Sequence, residues 1–351
     1  MTSPMKITVA GAGAMGCRFG AALFEAGHPV TLLDGWREHV TAVNEAGLRV
    51  TDAAGTRTLK VGAVLFPDPP HHPAPEPPHP PDLGRRVLDP ADLVIVFAKA
   101  TATGAVAAAA AAAGAIGPSS LVLTLQNGLG NIETLLAHVP ADRLLAGTTT
   151  LGTELVGPGH IRALGSGETV LGPLPGGTGP NAPAVAPADA AERVALALSE
   201  AGISVRLSPN ALAVIWAKVA FNCVMNSLCS IASIPVSALA RYDGFDALAL
   251  SVLDEIAAVA AAEGVPVDPA AALRLMRAQF DPSASGDHLA SMLQDLMNGR
   301  PTEIAHLNGA IAARAAAHGI DAPVNTTVSR LIGLLEATWP GRVNRLHLEL
   351  P

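Results

Sequence analysis

The sequence predicts an α/β fold in two parts: a doubly wound, mostly parallel sheet first, and an all-helical domain after it. Short β-branched apolar runs alternate with helical patterns through the first half of the chain. The first of these runs leads straight into a glycine-rich turn and an amphipathic helix. From residue 210 onward every periodic segment reads as helix.

The elements follow in order. Residues 7–10 form a strand candidate that ends in Gly11-Ala12-Gly13-Ala14-Met15-Gly16, and a helix runs on to Gly27. This is the G-x-G-x-x-G pattern between a strand and a helix, the dinucleotide cradle of a Rossmann domain. Gly11 permits the tight turn, Gly13 lets backbone approach a pyrophosphate, and Gly16 lets helix and strand pack closely. The phosphates would meet free N–H groups at the positive end of the helix. A second strand, 30–33, ends at Asp34, whose carboxylate suits the two ribose hydroxyls of NADH and repels a 2′-phosphate. Arg37, three residues on, suits a 2′-phosphate instead, so local chemistry favours NADH without closing the question. His28 and His39 read as helix-end surface residues.

Further strands are expected at 93–98, 121–125 and 144–148, then shorter ones at 161–163, 169–172 and 203–207, with a helix at 189–201. Residues 152–207 read as the tail of the first domain. Helices are expected at 211–232, 244–263, 268–280, 287–298, 303–318 and 324–337. The domain boundaries follow as 1–208 and 209–351, the substrate being expected between the two domains. A proline-rich loop at 67–81 and a Gly/Pro/Ala linker at 176–187 interrupt the first domain. His71, His72 and His79 lie in the loop, but proline removes the regular spacing that metal ligands need, so no metal site is expected.

Size and composition agree with this outline. A chain of 351 residues exceeds one ordinary domain, and 50% hydrophobic content supplies a large core. The net charge of −8 gives no basic surplus for nucleic acid. Cys17, Cys223 and Cys229 cannot all pair and fit no zinc spacing, so they read as small core residues in a reducing, cytoplasmic compartment. No signal peptide is legible, and the alanine-rich stretch 105–116 is too short to cross a bilayer, so no membrane association is expected.

One helical segment carries a polar stripe. In 214–229, Lys218, Asn222 and Asn226 recur at i, i+4 and i+8 along one face of an otherwise apolar helix. Burying unpaired amides or an ammonium costs on the order of a few kcal/mol, so the stripe needs a polar partner or a solvated edge. A ligand site and a snorkelling surface lysine both remain open on this pattern alone.

Taken jointly, five segments resemble the ketopantoate reductase family: Gly11–Gly16, the turn Leu125-Gln-Asn127-Gly128-Leu-Gly130-Asn131, the run Gly147-Thr-Thr-Thr150, Lys218-x3-Asn222-x3-Asn226, and Ser291-Met-Leu-Gln-Asp295 followed by Thr302-Glu303-Ile304. They span nearly the whole chain in the family's order. The resemblance implies reduction of a small 2-oxo acid, ketopantoate, to (R)-pantoate with a nicotinamide cofactor, NADPH by family default, and hence a place in pantothenate biosynthesis. It implies Lys218 as general acid and Glu303 as an acid beside it and the ribose. It implies Asn127, Asn222, Asn226 and Ser291 as substrate ligands. It implies Gly11, Ala12, Gly13, Ala14, Met15, Gly16, Asp34, Lys99, Asn127, Thr153 and Glu303 as cofactor contacts, and a homodimer. Read singly, Ser291 is an ordinary helix hydroxyl, Glu303 a helix-start acid, and Asn127-Gly128 a routine turn.

The sequence departs from the family where many members place Asn after the proline that follows the catalytic helix; here Pro235 precedes Val236 and Ser237. The Asp34-Gly-Trp36 sequence also differs from a basic NADPH-binding version. With Val236 there, the asparagine's hydrogen bond to substrate is lost or supplied by Ser237, while the stretch Thr31-Leu-Leu-Asp34-Gly-Trp36 resembles the branch that reduces other branched or aromatic 2-oxo acids with NADH, giving D-2-hydroxy acids. A catalytically idle nucleotide-binding protein is the remaining alternative, and the intact Lys218, Asn222, Asn226, Ser291 and Glu303 set argues against it.

Overall fold

The computed structural model describes residues 3–66, 88–176, 186–280 and 289–341. These residues form two compact units, described separately. The first comprises residues up to Gln126 together with Asn131–Val214; the second comprises Asn127–Gly130 and everything from Ile215. The break falls inside a helix rather than at residue 208, where the sequence pattern changes, and the short segment 127–130 clusters with the helical unit.

In the first unit the order is β1 (Ile7–Ala10), α1 (Ala14–Glu25), β2 (Val30–Asp34), α2 (Arg37–Ala46), β3 (Leu48–Asp52), β4 (Gly55–Leu59), β5 (Gly62–Leu65) and β6 (Leu93–Val96). It continues with α3 (Thr103–Ala112), β7 (Leu121–Thr124), α4 (Asn131–Leu136), β8 (Leu144–Thr149), β9 (Gly152–Gly157), β10 (His160–Leu164), β11 (Glu168–Pro173), α5 (Ala188–Glu200) and β12 (Ser204–Leu207). The main sheet has eight strands in the order β12-β11-β8-β7-β6-β1-β2-β5. From β5 to β8 all neighbours are parallel, and β11 joins β8 antiparallel. Counted along the chain, the parallel strands lie 3-2-1-4-5-6, the doubly wound order whose ligand crevice opens beside the first strand. The central strands read as unbroken apolar runs because both faces are covered: every residue of β1, β6 and β7 is buried.

Beside this sheet lies a second, four-stranded one, β4-β3-β10-β9, which the sequence reading missed. Strands β3, β4, β5 and β9 were not anticipated. β3 and β4 form a hairpin whose turn, Ala53-Ala54, lacks the usual Asn-Gly or Asp-Gly signal; Asp52 Oδ1 accepts the Ala54 N–H at 2.9 Å instead. Arg18 on α1 ties this sheet down, donating to the carbonyls of Gly152 and Leu164.

The second unit contains most of α6 (Ala211–Ala232), then α7 (Phe245–Ala262), α8 (Pro269–Ala278), α9 (Ser291–Met297), α10 (Asn308–His318) and α11 (Pro323–Thr338), with no strand among the described residues. Two helices are shorter than expected. α9 starts at Ser291 rather than 287, and a short 3-10 turn at Ile304–His306 precedes α10, where one helix from 303 was expected. α6 is long and apolar enough to cross a membrane by length and composition, with a mean hydropathy of 1.5. Its Trp216, Val219, Ala220, Cys223, Val224 and Met225 are instead buried in the protein, as in a core helix. α6 ends on Ser233, whose φ of 56° is left-handed, and the Ile234 N–H returns to the Cys229 carbonyl at 3.1 Å. The three cysteines are buried free thiols. The proline-rich loop 67–81, with its histidines, lies outside the described residues, as does most of the linker 176–187.

Candidate active site

The glycine-rich turn sits at the carboxyl end of β1, between β2 and β6. Each glycine answers a different constraint. Gly11 has φ of +91°, and a Cβ there would stand 2.7 Å from the Ala98 nitrogen that follows β6. A Cβ on Gly16 would meet the Gly11 carbonyl oxygen at 2.0 Å. A Cβ on Gly13 would meet nothing within 4 Å. The chain therefore needs glycine at 11 and 16 for its own packing, whereas at 13 glycine leaves open space. Gly13 caps α1 with no side-chain bond, and no acid occupies the first turn. The N–H groups of that turn have no partner within the helix and carry the positive end of its dipole. This cradle fits a dinucleotide's pyrophosphate.

Asp34 closes the cradle. Its Oδ2 accepts the Ala12 N–H at 2.6 Å and its Oδ1 the Trp36 N–H at 2.8 Å. Each oxygen keeps a further lone pair for a sugar hydroxyl. Arg37 is exposed at the start of α2. Lys99, exposed, follows β6 on the same sheet edge as the cradle. Thr153 stands on β9 next to Gly152, the residue Arg18 of α1 holds, and its hydroxyl is buried without a hydrogen-bond partner. An orphaned hydroxyl beside α1 is a further donor that a cofactor would satisfy.

In the second unit α6 presents Lys218, Asn222 and Asn226 one turn apart. Burial pushes the Lys218 ammonium down to about 8, and the Glu303 carboxylate opposes that shift. Asn222 is 8% exposed, and no side chain among the described residues bonds its amide. The Asn226 amide reaches the Ser291 hydroxyl at 3.4 Å. Glu303 accepts from the Asn127 amide at 3.1 Å. Asn226, Ser291, Met292, Asp295, Glu303 and Leu307 line one small open depression. Lys218, Glu303, Asn127, Asn226 and Ser291 are thus linked pairwise within one unit, although they come from three separate stretches of sequence.

Several supporting residues escaped the sequence reading. His306 holds the Asn127 turn: its carbonyl accepts the Leu129 N–H at 2.8 Å, and its Nδ1 lies 3.0 Å from the Leu129 carbonyl. A Cβ on Gly128, whose φ is +84°, would stand 2.7 Å from the His306 carbonyl oxygen, so the Asn-Gly pair serves close packing as well as a turn. Arg300 pairs with the buried Asp295 at 3.0 Å. His39, expected at the surface, is buried, 3.3 Å from the Cys17 sulfur. Its position on the inner face of an amphipathic helix, beside Val40 and Val43, was the available signal.

Comparison with known proteins decides the family. The sequence model described as Ketopantoate reductase PanE/ApbA matches residues 7–176, and the model of that family's C-terminal part matches 210–336. The chain belongs to the ketopantoate reductase family. The 2-dehydropantoate 2-reductase of Halobacterium salinarum is 34% identical over 334 residues, covering 95% of this chain and 99% of that protein. The enzyme of the same name from Lactococcus lactis subsp. lactis is 32% identical over 329 residues, covering 93% and 97%. Among solved structures, D-mandelate dehydrogenase with NADH and anilino(oxo)acetate superposes with a TM-score of 0.82 at 31% identity, over 96% of this chain and 100% of that one. Family membership makes this chain a nicotinamide-dependent oxidoreductase with a Rossmann-type sheet and a helical C-terminal region.

Proposed function

We propose that this chain reduces the keto group of 2-dehydropantoate to (R)-pantoate. The observation that carries the reading is Lys218: a lysine ammonium brought down to about 8, beside a carboxylate, on a helix that presents two amides along the same face. A bound nicotinamide cofactor supplies the hydride that adds to the substrate's C2. Lys218 Nζ gives its proton to the keto oxygen, so that carbonyl becomes hydroxyl, and its charge stabilises the alkoxide as it forms. Asn222 and Asn226 donate to substrate oxygens, and the Ser291 hydroxyl holds the carboxylate. Glu303 keeps Lys218 protonated at neutral pH, and its bond from Asn127 fixes its orientation.

Gly11–Gly16, Asp34, Lys99 and Thr153 would hold the cofactor, with Asn127 and Glu303 beside the ribose and nicotinamide. NADH is the proposed donor. Two backbone N–H groups hold Asp34, and a carboxylate kept there supports binding of the ribose hydroxyls and repulsion of a 2′-phosphate. Replacing Lys218 by Ala tests the assignment: turnover of 2-dehydropantoate falls by about 10²–10⁴ while NADH affinity is kept. Normal turnover in that variant refutes it. The same reading makes the protein a cytoplasmic homodimer acting on a small molecule rather than nucleic acid or membrane, and sedimentation at micromolar concentration tests the dimer.

A second reading is favoured by Asp34, by Val236 in place of the family's asparagine, and by the likeness to D-mandelate dehydrogenase with NADH. In it the enzyme is an NADH-dependent D-2-hydroxy acid dehydrogenase of broader branched or aromatic range. Comparing kcat/KM for 2-dehydropantoate, 2-oxoisovalerate and phenylglyoxylate separates the two. A preference of about tenfold, some 1.4 kcal/mol, for a substrate lacking the pantoate hydroxyl selects the second.

A further inference from the structure

Two residues beyond Asp34 the chain exposes an indole that neither the cradle nor the proton donor uses. Trp36 is 39% exposed, and its ring stacks on that of His39 with centroids 5.4 Å apart and planes 17° from parallel. An indole stacked on one face and partly open to solvent is a platform with room for a second flat ring.

The backing ring is held at both of its nitrogens. His39 is 1% exposed. Its Nδ1 accepts the Gly159 N–H at 3.1 Å, so Nε2 carries the imidazole proton and points to the Cys17 sulfur at 3.3 Å. The Cys17 thiol in turn donates to the Ala12 carbonyl at 3.0 Å, inside the glycine-rich turn. Ala12 N–H and Trp36 N–H converge on the two oxygens of Asp34. The circuit Ala12, Asp34, Trp36, His39, Cys17 and back to Ala12 ties the phosphate turn, the sugar-binding carboxylate and the indole together.

We infer that the Trp36–His39 stack is the platform for the adenine ring of the dinucleotide. The inference rests on the reading of Gly11–Gly16 and Asp34 as the cofactor cradle. A ribose held by Asp34 carries its base on the same sugar, and the exposed indole of Trp36 belongs to the residue whose own N–H binds that carboxylate. Stacking on an aromatic face accepts any purine, so Trp36 supplies affinity for the adenosine half and Asp34 supplies discrimination at the 2′ position.

Titration calorimetry and indole fluorescence with ADP-ribose, 5′-AMP, reduced nicotinamide mononucleotide and NADH test this without turnover. Trp36→Ala is expected to weaken ADP-ribose and 5′-AMP by about tenfold while nicotinamide mononucleotide binds within about twofold of the original protein. Trp36→Phe, which keeps a flat face, is expected to stay within about threefold for ADP-ribose and to lose most of the fluorescence quenching that binding produces. Circular dichroism of both unliganded variants checks that the fold is intact. An ADP-ribose loss in Trp36→Ala below about threefold, or an equal loss for the mononucleotide, overturns the platform while leaving the cradle standing. If the original protein binds neither NADH nor ADP-ribose, the cradle reading falls and the platform falls with it.

Discussion

At the scale of single residues the proposed chemistry turns on one ammonium. Lys218 sits in a helix chosen for apolar packing, and burial disfavours its charge while Glu303 restores part of it. A proton donor with a pKa near 8 is mostly protonated at neutral pH yet gives its proton up readily. Below about 8 the ammonium dominates and reduction runs at its plateau. Above it the neutral amine has no proton to donate, so kcat for reduction falls as pH rises, while oxidation of the hydroxy acid, which needs the amine, rises through the same region. Glu303 holds that pKa up, so Glu303→Gln moves the descending limb to lower pH; a profile unchanged by the substitution contradicts the coupling. Steady-state rates between pH 6 and 10 read both effects. Gly13 offers a second residue-scale test. Its φ of −66° suits any residue, and its missing Cβ faces open space. Gly13→Ala therefore keeps the thermal midpoint of the unliganded protein but loses about tenfold or more in NADH affinity, because the methyl group occupies the space left for phosphate. At Gly16, by contrast, a methyl group collides with the Gly11 carbonyl and should damage folding itself.

At the scale of elements, legibility in the sequence tracked how local the determining physics is. β1 with its turn and α1 could be read because strand, glycines and helix are contiguous and each has a steric reason to be there. The stripe on α6 was legible because helical periodicity aligns residues 218, 222 and 226 without reference to anything else. The four-stranded sheet was not, because β3 pairs with β10 across more than a hundred residues and neither strand is long or alternates strongly. The link from Asn127 to Glu303 was equally out of reach of periodicity, and only resemblance to a family singled out both residues. The role of His306 needs the Gly128 contact to be seen at all. The end of α6 holds a strained residue that the sequence did not announce: Ser233 is the non-glycine residue with positive φ among those described. Ser233→Gly relieves that conformation and should raise stability by about 1 kcal/mol, read as an upward shift of the urea midpoint at constant slope. No gain, or a loss, would show that the Ser233 hydroxyl's contact with the Ser230 carbonyl matters more than the backbone strain.

At the scale of the whole molecule, a doubly wound sheet carrying a glycine-rich turn and a helical unit carrying Lys218 suit the hydride transfer proposed here, and family membership supplies the reaction type. Asp34 makes the choice of donor a testable property of the whole protein: kcat/KM with NADH should exceed that with NADPH by about tenfold or more, and Asp34→Ser should narrow the ratio by admitting the 2′-phosphate. An NADPH preference in the unaltered protein contradicts the carboxylate's role. The most direct measurement of the central claim is NADH oxidation with 2-dehydropantoate by the original protein and by Lys218→Ala, alongside the NADH dissociation constant of each. Loss of about 10²–10⁴ in kcat at an unchanged dissociation constant is the expected result, and turnover by the alanine variant at the original rate would contradict it.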